Sequence, residues 1–221
     1  MIAKQLVTGH VIPLKPTDTG LFALLQMEEA RLSHLPIVDG ANFIGVISER
    51  EIQVLDEQED EIGHYNLTLP GAFIHEDQHL YKALELFSSL GLTMLPVVNE
   101  KMQYMGAIIL STVVEKLTGL IGLNEPGGVI VLEIGEKDLH LADLIQVVET
   151  NDAKILSCFV QSMPDSTKLE VTIKVNRMEI GPLLQSFFRL NYLVTASWSK
   201  EDSFHEGLQD RFDALMNYLN I

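Results

Sequence analysis

Leu35-Pro36-Ile37-Val38-Asp39 returns as Leu95-Pro96-Val97-Val98-Asn99, 60 residues further on, and the flanking segments follow in step. A repeat of this kind constrains the fold before any single residue does, because each copy must form the same supersecondary unit. Upstream of the second copy, Leu80, Ala83, Leu84, Phe87 and Leu90 fall at helical spacing. The same offset gives Gly20, Ala23, Leu24, Met27 and Ala30 in the first. Each copy is therefore predicted to open with an amphipathic helix. A strand at the Leu-Pro motif follows, then a polar turn at 39–42 or 99–103, then a second apolar strand at 43–47 or 104–108. A second helix, near 49–55 and 111–117, closes each copy. One such unit has an apolar sheet face that it cannot cover alone, so the two are expected to pack sheet to sheet.

The run His34-Leu35-Pro36-Ile37-Val38-Asp39, a turn, and then Gly45-Val46-Ile47-Ser48-Glu49-Arg50-Glu51-Ile52 resembles a CBS domain. Two in tandem, over 1–62 and 63–122, resemble the CBS pair called a Bateman module. That resemblance implies an adenine nucleotide or related adenosyl compound (AMP, ADP, ATP or S-adenosylmethionine) as a regulatory ligand in the cleft of the pair. The family's binding signature is Gly, two apolar residues, Thr or Ser, two variable residues, then Asp. The glycine admits a close backbone, the hydroxyl and helix start receive phosphate, and the carboxylate accepts the ribose hydroxyls. The first copy matches at Gly45 and Ser48, with Glu51 in place of the Asp; the second keeps Gly106 but has Ile109 and Thr112 at the two polar positions. The candidate ligand set implied by the resemblance is His34, Pro36, Gly45, Ile47, Ser48, Glu51 and Thr112. Ser48 and Glu51 also read as a helix capping box, which accounts for both residues without a ligand.

After Glu125-Pro126-Gly127-Gly128 the periodicities change. A strand at 129–134 precedes a helix face of Leu141, Leu144, Ile145 and Val148, and a second strand covers 153–161. Leu169, Val171, Ile173 and Val175 alternate with polar residues as a half-buried strand does. Ile180, Leu183, Leu184 and Phe187 then mark a helix, and 192–198 a last strand. Strand, helix, strand, strand, helix, strand is the ferredoxin-like plan, so the whole chain is expected to be α+β: a CBS pair followed by a βαββαβ domain over 127–200. Its position after a CBS pair resembles an ACT-like domain, as in the acetoin-utilisation AcuB type of bacterial protein. ACT domains that bind amino acids carry a glycine near the place of Leu139, and a leucine there argues against that mode. The segment 203–221 has Leu208, Phe212, Leu215, Met216 and Leu219 on one helical face and is expected to be a core-packing or dimer-clasping helix.

The formal charge of −16 and pI near 4.7 argue against nucleic acid, whose affinity comes from Lys and Arg at phosphates. No apolar run reaches a membrane span and the first residues carry no cleavable leader pattern, so a cytoplasmic, membrane-free protein is expected. Cys158, in an apolar run, reads as a buried small hydrophobe. His75 and His79 are four apart, but one falls at a strand end and the other at a helix start beside Asp77, a candidate cap; no metal site is expected. The sequence also holds no nucleophile elbow, phosphate loop or Cys-x-x-Cys pair, so no catalytic residue is assigned. The expected function is non-enzymatic ligand sensing passed through a homodimer, since CBS pairs and ACT domains self-associate. The alternatives are an oligomerisation scaffold with vestigial sites and a regulatory subunit of a separate enzyme.

Overall fold

A computed structural model describes residues 1–9, 11–54, 59–64, 69 and 71–199. The helix expected over 203–221 and part of the acidic run after Leu55 lie outside these residues. The chain divides into two compact units, Met1–Lys116 and Leu117–Ile221.

In the first unit, helix α1 (Gly20–Ala30) precedes strands β1 (His34–Asp39) and β2 (Asn42–Ser48), and a short α2 (Glu49–Gln53) completes the copy. The second copy repeats the plan: β3 (Ile74–His75), α3 (Leu80–Leu90), β4 (Met94–Val98), β5 (Tyr104–Ile109) and α4 (Leu110–Leu120). The Thr19 hydroxyl caps α1 by accepting from the Phe22 N–H at 3.2 Å. α1 and α3 both stop at a left-handed residue, Arg31 (φ 55°) and Gly91 (φ 63°), whose N–H returns to the last helical carbonyls. The cap of α3 is His79, not Asp77: the His79 Nδ1 accepts from the Tyr81 N–H at 3.3 Å. Both hairpins are antiparallel and share a bulge at the same place, between Ile37 and Val38 and between Val97 and Val98. The repeat therefore extends to the irregularities of the sheet.

Between the copies the chain trades partners. The segment before α1 bonds to the second copy, Ala3 N–H to the Gln78 carbonyl (2.8 Å), Lys4 N–H to the Glu76 carbonyl (3.0 Å) and Thr8 N–H to the Ala107 carbonyl (2.9 Å). The segment before β3 returns to the first, with Leu69 bridged to Val46, Ile62 N–H on the Asp18 carbonyl (2.8 Å) and Gly63 N–H on the Pro16 carbonyl (2.7 Å). Leu35, Ile37, Val46, Ile47 and Ile52, with Leu95, Val97, Ala107, Ile108 and Val113, are each at most 2% exposed and form the apolar interior of this unit.

The second unit is β6 (Val129–Gly135), α5 (Leu141–Thr150), β7 (Ile155–Ser162), β8 (Lys168–Val175), α6 (Gly181–Arg189) and β9 (Leu193–Trp198). Its sheet runs β7-β8-β6-β9 with every neighbouring pair antiparallel, which is the ferredoxin-like order. Ile130, Leu132, Ile134, Val171, Ile173 and Val175 meet Leu144, Val148, Leu183 and Phe187 in one core, so both helices cover one face. Two expectations need correction. α5 buries Leu144, Val147 and Val148, leaving Leu141 and Ile145 exposed, because Leu139, just before the helix, packs on the core in their stead. Cys158 is exposed, because β7 is an outer strand of the sheet and not a central one. Among the described residues no helix is long and apolar enough to cross a membrane.

Candidate functional site

The β1–β2 register sets His34 opposite Ser48, at the point where the chain turns into α2. There the Ser48 Oγ accepts from the Glu51 N–H at 3.2 Å. The Glu51 Oε2 in turn accepts from the Ser48 N–H at 2.7 Å and from its hydroxyl at 2.6 Å. This is a complete capping box. The Glu49 N–H is taken as well, by the Ser33 carbonyl at 2.9 Å. His34 faces the other copy, where its Nδ1 lies 3.2 Å from the Thr93 Oγ1 and accepts from the Thr93 N–H at 3.4 Å. The Ser33 N–H donates to the same Thr93 hydroxyl at 3.1 Å. One strand end of each copy, a helix cap, an imidazole and a carboxylate therefore converge at the seam of the two copies.

An Nδ1 that accepts from backbone is unprotonated, so the seam holds the neutral ring, its proton on Nε2. Burial lowers the His34 pKa below its ordinary value, partly opposed by the Glu51 carboxylate. The folded state thus binds fewer protons than the unfolded chain near pH 6.5, and this contribution to stability is present above that pH and lost as pH falls below it. Thermal midpoints at pH 8 and pH 5.5 are expected to differ less in His34→Gln than in the natural chain; an unchanged difference would exclude His34 as the group responsible.

The other sequence candidates fall into two groups. Pro36, Gly45 and Ile47 lie in the same hairpin as the polar cluster but inside its packing: Ile47 is 1% exposed and opposite Leu35, and Gly45 is buried opposite Ile37. Thr112 is half-buried on α4, in the second motif. Gly106 of that motif has φ 133°, and a Cβ there would meet the Val7 Cγ1 at 2.4 Å, so it admits the chain's own crossing segment. Ile109 closes a cavity of about 340 Å³ whose other walls are Ile12, Gln26, Glu29, Ala30, Leu32 and Leu35. Gln26 and Glu29 are polar groups of this cavity that the sequence analysis missed. Their only sequence signal is a spacing of three on α1, where the Gln26 Nε2 approaches the Glu29 Oε2 at 3.5 Å.

His75 and His79 serve separate purposes, the first edge-on to Phe73 in β3 and the second capping α3. Among the described residues no three His, Cys, Asp or Glu side chains converge as a metal site. In the second unit, Leu139 turns into the core, and a cavity of about 350 Å³ lies elsewhere, between Asp143, Gln146, Val147, Thr150, Leu190 and Tyr192. Burial and the Asp143 carboxylate both raise the pKa of the Tyr192 hydroxyl.

Residues 3–54 and 68–119 each match the family model described as CBS domain. Two matches to the CBS domain model therefore stand in tandem, and a unit of ferredoxin-like topology follows them. It is 27% identical over 115 residues to an inosine-5′-monophosphate dehydrogenase of Methanocaldococcus jannaschii. That match takes in 52% of this chain and 23% of the relative, so the chain spans about a quarter of the relative's length. Among solved structures, it is similar to a CBS domain pair/ACT domain protein of Thermotoga maritima (28% identity, TM-score 0.49, 54% of this chain and 98% of that one). It is also similar to an Arabidopsis thaliana CBS-pair protein solved in complex with AMP (20% identity, TM-score 0.47, 53% and 96%).

Proposed function

We propose that this is a non-catalytic regulatory protein whose CBS pair takes an adenine nucleotide or a related adenosyl compound and passes its occupancy through a homodimer. One observation carries this reading: the signature residues Ser48 and Glu51 sit beside His34, which is bonded to Thr93 of the other copy. A ribose that engaged the Glu51 carboxylate would loosen its bond to Ser48 and alter the charge felt by His34, and with it the seam between the copies. A ligand shifts such an equilibrium only by its differential affinity for the two arrangements, and this seam is where that difference arises. AMP is the probe to try first, as the ligand of the solved Arabidopsis pair.

Calorimetric titration of AMP, ADP, ATP and S-adenosylmethionine is expected to give at least one binder, and ligand at 100 times its Kd to add about 2.7 kcal/mol of stability. The double variant Ser48→Ala, Glu51→Ala is expected to lose that binding, while its cap costs about 1 kcal/mol. Undiminished affinity in the double variant would overturn this assignment. A second reading has its own support. The Ser48–Glu51 box is satisfied internally, as a scaffold with vestigial sites requires. Under it, no adenosyl compound binds and the double variant shows only the loss of the cap.

A further inference from the structure

Asp143, Gln146, Val147 and Thr150 stand at i, i+3, i+4 and i+7 of α5 and so share one face of the helix. Across from them α6 ends in a turn through Asn191 (φ 61°), where the Tyr192 N–H returns to the Phe187 carbonyl at 3.0 Å. The turn fixes the Tyr192 ring, which stands at 87° to the fully buried ring of Phe187 with centroids 5.7 Å apart. The Asn151 amide donates to the Ser186 hydroxyl at 3.1 Å and ties the end of α5 to α6. Between these walls lies the cavity of about 350 Å³, lined by the buried Val147 and by Leu190 and Tyr192 of the turn. Its volume is in the ordinary range of a small-molecule site, about 300–1,000 Å³.

The charge of this lining has one sign. The Thr150 hydroxyl gives its proton to the Gln146 carbonyl at 2.8 Å and so offers the cavity lone pairs alone. Asp143 adds a carboxylate, and no lysine, arginine or histidine is among the lining residues. That carboxylate acts across the gap, since it helps to raise the pKa of the Tyr192 hydroxyl on the opposite wall. We propose that this cavity binds a small organic cation, an alkylated ammonium, between the Asp143 carboxylate and the Tyr192 ring. The ring quadrupole attracts an ammonium and the carboxylate supplies its counter-charge. The alkyl groups of such a cation would rest on Val147 and Leu190, contacts of no use to a hydrated metal ion. One carboxylate is also too few for a metal, and among the described residues no three ligating side chains converge. Anions find no counter-charge in the lining, so a free amino acid is rejected through its own carboxylate. The formal charge of −16 draws cations toward the chain as a whole. This site belongs to the second unit and stands independently of the adenosyl reading of the first.

The test is calorimetric titration of choline into the full chain, at low and at moderate salt. Two controls accompany it: 3,3-dimethylbutanol, in which carbon replaces the charged nitrogen, and glycine betaine, which adds a carboxylate. One choline is expected per chain at both salt concentrations, with neither control binding. Asp143→Asn and Tyr192→Leu should each weaken choline roughly tenfold, and Tyr192→Phe, which keeps the ring, by less than about twofold. Leu190 is 58% exposed, so Leu190→Lys leaves the fold intact and sets an ammonium in the wall. It should abolish binding, and it serves if Tyr192→Leu unfolds the unit; circular dichroism checks the fold of each variant. The proposal is overturned by the absence of choline binding, by equal binding of the neutral alcohol, or by a choline affinity indifferent to Asp143→Asn and Leu190→Lys. Many weak sites that vanish at moderate salt would show only the general attraction of an acidic chain, and overturn it as well.

Discussion

Gly127→Ala is expected to unfold the second unit or lower its thermal midpoint by more than about 15 °C. A Cβ at Gly127 would stand 1.8 Å from the carbonyl oxygen of Val175 and 2.9 Å from its carbon. Those are backbone atoms and cannot rotate away. To make room, the chain must part the first residues of β6 from the end of β8, where Gly128 N–H donates to the Arg177 carbonyl at 2.7 Å and Val175 N–H to the Gly128 carbonyl at 2.9 Å. Overpacking a core by a methylene costs about 1–3 kcal/mol. Separating two central strands adds the loss of their hydrogen bonds, for a total on the order of 4 kcal/mol or more. Circular dichroism through a thermal ramp checks it, and a midpoint within a few degrees of the natural chain would refute the packing described at this glycine.

Gly106→Ala is expected to cost about 3 kcal/mol, a midpoint loss on the order of 10 °C for the first unit. Two causes combine, and they can be separated. Its φ of 133° lies where a side chain is strained, worth about 1–3 kcal/mol. The added carbon also meets the γ-methyl of Val7 at 2.4 Å, pressing the crossing segment off β5. In a Val7→Ala background the collision is gone and only the backbone strain remains, so the same substitution should cost about half as much there. Equal costs in the two backgrounds would show that Val7 does not press on this glycine. The displaced segment gives a second readout, faster proteolysis near Thr8 in Gly106→Ala.

The parts of the fold that the sequence made legible are those governed by short-range periodicity. The Leu-Pro strands bury their apolar residues as expected; α1 and α3 bury Gly20, Ala23 and Met27, and Leu80, Ala83 and Phe87, of the expected faces but leave Ala30 and Leu90 exposed at their ends, and β8 buries Val171, Ile173 and Val175 but also Lys174 of the polar set. The crossing segments were not legible, because Thr8 with Ala107 and Leu69 with Val46 are pairings of one or two residues with no periodic signal. α5 was misread by a fraction of a turn, since Leu139 outside the helix competes for the same core and no pattern within the helix reveals that. Cys158 shows the same limit in a strand: an apolar run suits a central strand or an unpaired edge equally well, and only sheet order distinguishes them.

The candidate site divides in the same way. Ser48 and Glu51 are three apart and their mutual bonding was visible as a motif, whereas the contact of His34 with Thr93 spans 59 residues and needed the repeat to be folded. The cavity at Ile109 is built from three separated stretches, and Gln26 and Glu29 look like ordinary solvated helix residues until the walls around them are assembled.

The trade of partners between the two CBS domains has a mechanical consequence. Met1 to Thr8 open the first domain in sequence, yet their backbone bonds to Glu76, Gln78, Leu80 and Ala107, and the Lys4–Glu76 ion pair at 2.9 Å, run to the second. Tension applied at Met1 in an optical trap therefore loads the second domain before the first. Because the second domain's own leading segment is held by the first, the two should give way in one rupture rather than as two successive steps.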